Sequence, residues 1–353
     1  MGVNSPVGHA DPLTPPIRVQ KILENIARQK FRRLLLRWFD REQRKLPWRG
    51  ETNPYYILVS EIMLQQTRVA VVEQRYEEFL REFPSVAALA AAGEQAVLAA
   101  WSGLGYYRRA RNLRAAAESI HENGEFPSTS TSLMELPGIG RYTAAAVASI
   151  AFGEPVAVVD GNVQRVLQRV IGKDSQGKEL KGEAFWTTAQ DLLDSRRPGD
   201  FNQAMMELGA VVCTPVQPNC SSCPVESLCV SRGAPEEKIR APRKKATLAY
   251  SLSMRMETIF LQQRSQNLSL MAGMWELPEL MKRPPRNELP ILRLRHSITV
   301  TDYSVLVYSA NRPDSIPKTN SSERPGKWVS LDSVHRLALT GLTRKILKRL
   351  RLF

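Results

Sequence analysis

The chain has four cysteines, and they fall together as Cys213-x6-Cys220-x2-Cys223-x5-Cys229. Pro215, Pro218 and Pro224 make the intervening sequence loop-rich. Thiols gathered in one such loop argue for a metal centre, and four thiolates satisfy either an iron–sulfur cluster or a tetrahedral zinc ion. Structural zinc usually takes two short knuckles, and only Cys220-x2-Cys223 is one. His9, His121, His296 and His335 are scattered and supply no other ligand set. The ligand count alone leaves both metals open. Four unrelated thiols is the alternative that the clustering argues against.

Two carboxylates stand out for acid–base work. Glu61 lies inside Ile57-Leu58-Val59-Ser60-Glu61-Ile62-Met63-Leu64. A helix apolar nearly all round is buried, and burial favours the protonated carboxyl, which can give a proton to a leaving group. The competing reading is a structural glutamate paired with an internal arginine. Asp160 follows Pro155-Val156-Ala157-Val158-Val159 and opens Asp160-Gly161-Asn162 ahead of a helix over 163–170. It reads as an N-cap, a position that aspartate favours, or as an anion held beside a developing cation. One acid plus one carboxylate is the pattern of glycosidic-bond cleavage.

The elements that position these residues are helical. Leu136-Pro137-Gly138-Ile139-Gly140 precedes an apolar helix over 143–152. Gly138 and Gly140 permit a tight turn whose backbone N–H groups suit a phosphate at a helix start, although such a turn also joins helices for purely structural reasons. Phe31, Leu34, Leu35, Trp38 and Phe39 recur at helical spacing, and residues 110–120 read the same way. Residues 233–245 carry two prolines and five basic residues with little to bury, a linker composition. Beyond them Tyr250, Leu252, Met254 and Met256 alternate with polar residues, which predicts a half-buried strand. Further strands are expected at 259–261 and 305–308, and a closing helix at 342–350. The fold class is therefore multidomain, an all-α domain followed by an α+β domain. The divisions are an N-terminal extension at 1–28, the helical domain at 29–230 with its cysteine loop at 213–229, a linker at 231–247 and the second domain at 248–353.

With 353 residues, 43% of them apolar, the chain can bury a sizeable core. A net charge of +14 points to a polyanionic partner, most simply nucleic acid. The longest nearly apolar run, 144–152, is about half a membrane span, so no membrane partner is expected. Residues 1–16 lack the basic start and apolar stretch of a secretory signal. The expected location is a bacterial cytoplasm, with the nucleoid.

Taken together, the residues resemble the MutY-type adenine DNA glycosylases of the endonuclease III-like helix-hairpin-helix superfamily. The resemblance runs through Leu46-Pro47-Trp48-Arg49, VSEIMLQQT at 59–67, WSGLGYYRRAR at 101–111, LPGIGRYTA at 136–144, VDGNVQRVL at 159–167 and FNQAMMELGAVVC at 201–213. The cysteine spacing resembles that superfamily's 4Fe–4S site. More loosely, Gln263-Arg264 and LMAGMWELP at 270–278 resemble the Nudix-like domain that recognises 8-oxoguanine.

The resemblance implies a monofunctional enzyme of base excision repair. It would act as a monomer on double-stranded DNA with A:8-oxoguanine or A:G mismatches, flip the adenine out and hydrolyse its N-glycosidic bond. Glu61 would protonate the adenine and later handle the water. Asp160 would stabilise the sugar cation, including as a transient covalent adduct, with Tyr142 and Asn162 orienting the pair. Trp48, Arg49 and Gln203 match positions lining the adenine pocket. Gln66 and Tyr106 match residues that wedge into the stack, with Arg108, Arg109 and Arg111 making a DNA-facing stretch. Gly138 and Gly140 would grip the DNA backbone. Lyase-competent relatives carry a Schiff-base lysine where this chain has Tyr142, and tyrosine cannot do imine chemistry. Cys213, Cys220, Cys223 and Cys229 would hold a 4Fe–4S cluster.

His296-Ser297-Ile298-Thr299-Val300 aligns with the family's recognition loop, commonly HxFSH. Ile298 replaces its phenylalanine, Thr299 keeps a hydroxyl for substrate contact, and Val300 replaces the second histidine. The glutamate run with which Nudix hydrolases hold magnesium is absent, so no nucleotide hydrolysis is expected. TPVQPN at 214–219 lacks the basic residues many relatives place there. Two other readings remain beside this one: a thymine- or uracil-mismatch glycosylase on the same scaffold, and a non-catalytic iron–sulfur DNA sensor.

Overall fold

The computed structural model describes residues 17–172, 179–232, 243–268, 270–280, 288–298, 300–310 and 325–352. The expectations for residues 1–16, for most of the linker and for Thr299 lie outside the described residues.

From its N-terminal side the chain forms α1 (Ile17–Glu42), α2 (Pro54–Leu64), α3 (Val69–Glu82), α4 (Val86–Ala91), α5 (Glu94–Ala100) and α6 (Arg108–Asn123). Then follow α7 (Ser130–Leu133), α8 (Arg141–Ala151), α9 (Gly161–Ile171), α10 (Glu183–Leu192) and α11 (Pro198–Val211). The texture then changes to β1 (Lys244–Leu252), β2 (Met254–Arg255), β3 (Thr258–Gln263), β4 (Trp275–Glu276), β5 (Leu292–Ile298), β6 (Thr301–Ser309) and β7 (Gly326–Ser330), closed by α12 (Gly341–Arg349). A helical region followed by an α+β region is what the hydrophobic periods predict. Two boundaries differ. Helix α1 already begins at Ile17, inside the stretch read as an extension, where Arg, Gln, Lys, Leu, Glu and Ala, all good helix formers, are interspersed with isoleucines and neither Gly nor Pro interrupts. Strand β1 begins at Lys244, inside the stretch read as a linker.

Contacts divide the chain into one unit of residues 1–45 with 144–237 and another of residues 46–143 with 238–353. The α+β region thus shares a unit with α2 to α7 instead of standing alone, which no linear reading of composition would find.

In the first unit Phe31, Leu35 and Phe39 of α1 share a core with Val163, Val166 and Val170 of α9 and Phe201, Met205 and Leu208 of α11. Helical spacing of the apolar residues puts each set on one face. Arg44, just past α1, donates from Nε and Nη2 to the buried Glu207 carboxylate of α11 at 2.7 and 2.9 Å. A bidentate partner is what lets a carboxylate be buried in its charged form.

In the second unit α2 is buried along nearly its whole length. Pro54 opens it, and Asn53 accepts the Tyr55 backbone N–H at 3.0 Å as its N-cap. Beyond residue 243 there are two sheets. In one, β6 pairs with β1 in parallel and with β5 antiparallel. In the other, β3 lies between β2 and β4 and also pairs with β7. Ile259, Leu261, Val305 and Val307 pack with Leu342, Ile346 and Leu347 of α12. The C-terminal half of β1 does not alternate as predicted: Ala249, Tyr250, Ser251 and Leu252 are all buried, and Met254 and Met256 are exposed. The Arg111 side chain of α6 donates to the Ala272 carbonyl at 2.6 Å, tying the 271–273 turn to the helical part of this unit.

Candidate active site

Glu61 sits mid-way along α2 between Ser60 and Ile62 and is buried. The Tyr142 hydroxyl, from the first turn of α8, donates to its Oε2 at 2.7 Å. One turn further on, the Gln65 side-chain amide donates to the Thr143 hydroxyl at 3.0 Å. Two consecutive α8 residues thereby tether the C-terminal half of α2. A carboxyl among aliphatic side chains, oriented by a phenol, is a group built to exchange a proton.

Asp160 is the N-cap of α9. Its Oδ1 accepts the Val163 backbone N–H at 2.7 Å, and its Oδ2 accepts from the Asn162 amide at 2.8 Å. Both oxygens are fixed by donors at a helix start, where the dipole favours negative charge. The N-cap and the anion readings of this residue are thus compatible. Asn162 is held in turn, because Arg165 donates from Nη2 to Asn162 Oδ1 at 2.8 Å and to the Gly209 carbonyl at 2.7 Å. Arg165 Nε also donates to the Cys213 carbonyl at 2.8 Å. A side chain at Gly209 would drive its Cβ to 2.6 Å from the Asn162 Cβ, so α11 passes α9 at a point that only glycine fits. Sequence reasoning missed Arg165 and Gly209. The available signal was Asn162-x2-Arg165-x3-Arg169, polar residues at helical spacing on a face that otherwise reads Val163, Val166, Leu167 and Val170.

The structure brings Glu61 to Tyr142 and Asp160 to Asn162, the first pair in one unit and the second in the other. Trp48 and Arg49 occupy a turn at 47–50, with the Trp48 ring edge-on to Tyr76 at 5.5 Å. Gln203 is half-buried on α11. Gly138 and Gly140 are exposed while Leu136 before them and Ile139 between them are buried, so the hairpin presents its backbone outward. Gly138 has φ +74°, and a Cβ there would fall on the Asn112 side chain. Gln66 and Tyr106 are both exposed. Arg108 is exposed as well, but Arg109 is buried and Arg111 is turned to Glu94 and Ala272, which corrects the reading of all three as DNA-facing. Ser297 of the expected recognition loop donates to Asp302 at 2.6 Å, and Arg243 holds the same oxygen at 2.8 Å. These donors keep the Asp302 carboxyl below its ordinary range.

Cys213, Cys220, Cys223 and Cys229 line one pocket together with Arg169, Val170 and Val225. Burial pushes the Cys223 thiol up to about 11, and at Cys220 burial and then the neighbouring Cys229 and Cys213 act in the same direction. Crowded sulfurs of this kind become thiolates when a cation compensates them. Among the described residues no three Cys, His, Asp or Glu side chains are grouped closely enough to hold a lone metal ion. Four thiols lining one pocket are a donor set that suits a thiolate-held metal centre. Arg169 braces the loop by donating to the Thr214 and Pro215 carbonyls at 2.7 and 2.8 Å and to the Cys213 sulfur at 3.3 Å.

Among the described residues no helix is long and apolar enough to cross a membrane. The human adenine DNA glycosylase is 49% identical to this chain over 221 residues, which are 59% of this chain and 40% of the human protein. The chain thus spans less than half the length of that relative. A solved thermostable thymine-DNA glycosylase superposes with a TM-score of 0.55 at 29% identity, over 59% of this chain and 98% of that one. A trapped endonuclease III–DNA covalent intermediate superposes with a TM-score of 0.50 at 26% identity, over 58% of this chain and 96% of that one. Residues 59–189, which hold Glu61, the glycine hairpin, Tyr142 and Asp160, match the model of one family. That family is the HhH-GPD superfamily of base excision DNA repair proteins.

Proposed function

We propose that this protein is a monofunctional DNA glycosylase that removes adenine mispaired with 8-oxoguanine or guanine. The observation that carries the reading is the unlike pair of carboxyls: Glu61 buried on α2 under the Tyr142 hydroxyl, and Asp160 held by two donors at the start of α9. The similarity to an adenine DNA glycosylase supplies the base.

Trp48 and Arg49 would bind the extruded adenine, Gln203 is assigned to the same base by the resemblance, and Gln66 and Tyr106 would fill the gap left in the stack. Glu61 gives its proton to a ring nitrogen of adenine as the bond from N9 to the sugar C1′ breaks, so the base leaves neutral. The Asp160 carboxylate, steadied by Asn162, faces the cationic sugar and lowers the barrier electrostatically. Water then adds to C1′ and returns a proton to Glu61, which completes a hydrolysis. Tyr142 stands where a lyase needs an amine, so the strand stays intact. Gly138 and Gly140 take a phosphate of the backbone. The α+β region acts as a Nudix-like reader of the opposite base, with Thr299 the hydroxyl of its loop and without nucleotide hydrolysis. The enzyme works as a monomer at the nucleoid of a bacterial cytoplasm. Cys213, Cys220, Cys223 and Cys229 would hold a 4Fe–4S cluster, whose contribution is to fix the loop after α11. A brown protein with four irons supports this, and stoichiometric zinc refutes it.

Single-turnover base release from A:8-oxoguanine, A:G, A:C and T:G duplexes tests the function. Cleavage of the adenine strand alone, and only after alkali, is expected. The structural likeness to a thymine-DNA glycosylase favours a second reading, which release from T:G with A:8-oxoguanine untouched would establish. Binding without release from any duplex would make the protein a sensor.

A further inference from the structure

Gln66 and Tyr106 have a backbone property in common. Their φ values are +55° and +47°, the left-handed region that residues with side chains rarely adopt. Both side chains are exposed, Tyr106 by 53%. Such strain persists only where the surroundings over-determine it.

The surroundings here centre on one side chain. Arg109, buried in the first turn of α6, donates from Nη1 to the carbonyls of Ile62 and Met63 at 2.7 and 2.8 Å and to that of Gln65. From Nη2 it donates to the Leu104 and Gly105 carbonyls at 2.9 and 3.0 Å and to the Thr67 hydroxyl at 2.9 Å. Nη1 thus serves the first turn and Nη2 the second, while Nη2 also reaches Thr67 of the first; in both turns the guanidinium holds the carbonyl immediately before the strained residue. The Gln65–Gln66 and Gly105–Tyr106 peptide planes are the ones that would have to rotate for φ to relax. Thr67 links the two turns by donating to the Leu104 carbonyl at 3.2 Å. The guanidinium also lies 5.5 Å from the Trp101 ring centre and 5.6 Å from that of Tyr106, with Trp101 donating to the Gly105 carbonyl at 3.2 Å. Only a planar fork with donors on both arms can span the turns; a lysine ammonium cannot.

We infer that Arg109 is a positioning residue that locks Gln66 and Tyr106 into one rigid, two-pronged wedge, and that its contribution to the reaction is confined to extrusion of the base. The inference rests on the proposed reading of those two side chains as the wedge. Its energetic logic is that the strain is held in the free protein, so no ordering cost falls due when DNA is engaged.

The test uses Arg109→Lys, Tyr106→Ala and the double variant in the full-length protein. Extrusion is read by the fluorescence of 2-aminopurine in place of the target adenine. Release is read in single turnover from a paired A:G duplex and from one whose adenine faces an abasic site, where extrusion is already cheap. Arg109→Lys keeps the charge, and is expected to slow release from the paired duplex by roughly a hundredfold through misplacement of the wedge. It should leave release from the unpartnered adenine within a few-fold of the unaltered protein, and add less to Tyr106→Ala than it costs alone. Equal slowing on both duplexes, or additive losses in the double variant, would overturn the inference. An unchanged 2-aminopurine signal in Tyr106→Ala would instead remove the wedge reading beneath it. Should Arg109→Lys fail to fold by circular dichroism, Thr67→Val, which removes the link between the turns and one acceptor of Arg109, must show the same pattern in weaker form; uniform slowing there overturns the inference as well.

Discussion

Glu61 lies mid-helix among Leu58, Val59, Ile62 and Met63 and receives a phenol hydroxyl, whereas Asp160 lies at a helix start and receives a backbone N–H and an amide. In the proposed mechanism the two sites divide acid from electrostatic stabiliser, although the side chains differ by one methylene. They also differ in how they are supported. The Glu61 site rests on close packing of α2. The Asp160 site rests on a polar chain from Asn162 through Arg165 to the Gly209 and Cys213 carbonyls. A site held by packing should tolerate distant changes, and a site held by a polar chain should transmit them.

The largest effect tests the division itself. Glu61→Gln keeps the shape and removes the proton, so base release should fall by roughly a thousandfold or more while duplex affinity holds. Retained turnover would end the assignment of Glu61 as the acid. Asp160→Asn keeps the N-cap and removes the charge, with an expected loss of about a hundredfold in the chemical step. If that variant released adenine at the normal rate, Asp160 would be a cap and nothing more.

The next effect probes the support. Gly209→Ala places a methyl against Asn162, and such overpacking costs about 1–3 kcal/mol. A lower melting temperature is expected, together with slower release and unchanged affinity. Arg165→Gln should slow release in the same way without overpacking. Were Gly209→Ala to lower stability alone, the polar chain would be scaffolding for α9 and no more.

Much of this was legible in the chain. Glu61 stands out because a lone carboxylate in an apolar helix needs a reason, and the cysteines because every thiol falls in one loop. The arginines were not. Arg109 reads as DNA-facing, and Arg165 and Arg169 only as part of the net positive charge, yet each turns inward to carbonyl oxygens. Charge is visible in a sequence, but the acceptors that satisfy a buried guanidinium are backbone groups with no residue signature. The pairing of residues 46–143 with 238–353 was illegible for a related reason. It depends on contacts such as Arg111 to the Ala272 carbonyl, which join segments far apart in the chain.

The smallest effect sharpens the comparison most. Tyr142→Phe removes one hydroxyl at 2.7 Å from Glu61 and leaves the ring in place, while Asn162→Ala removes an amide at 2.8 Å from Asp160. Each deletes one donor to one carboxyl, worth about 1–3 kcal/mol where the group is buried. If packing fixes Glu61, Tyr142→Phe should cost only a few-fold in release, because the carboxyl stays confined by the helix around it. Asn162→Ala should cost more, because it cuts the link that carries Arg165 to the carboxylate. Single-turnover rates for the two variants, measured on the same A:G duplex, decide the matter. A Tyr142→Phe loss equal to or larger than that of Asn162→Ala would mean that the phenol, and not the packing of α2, holds the acid in place.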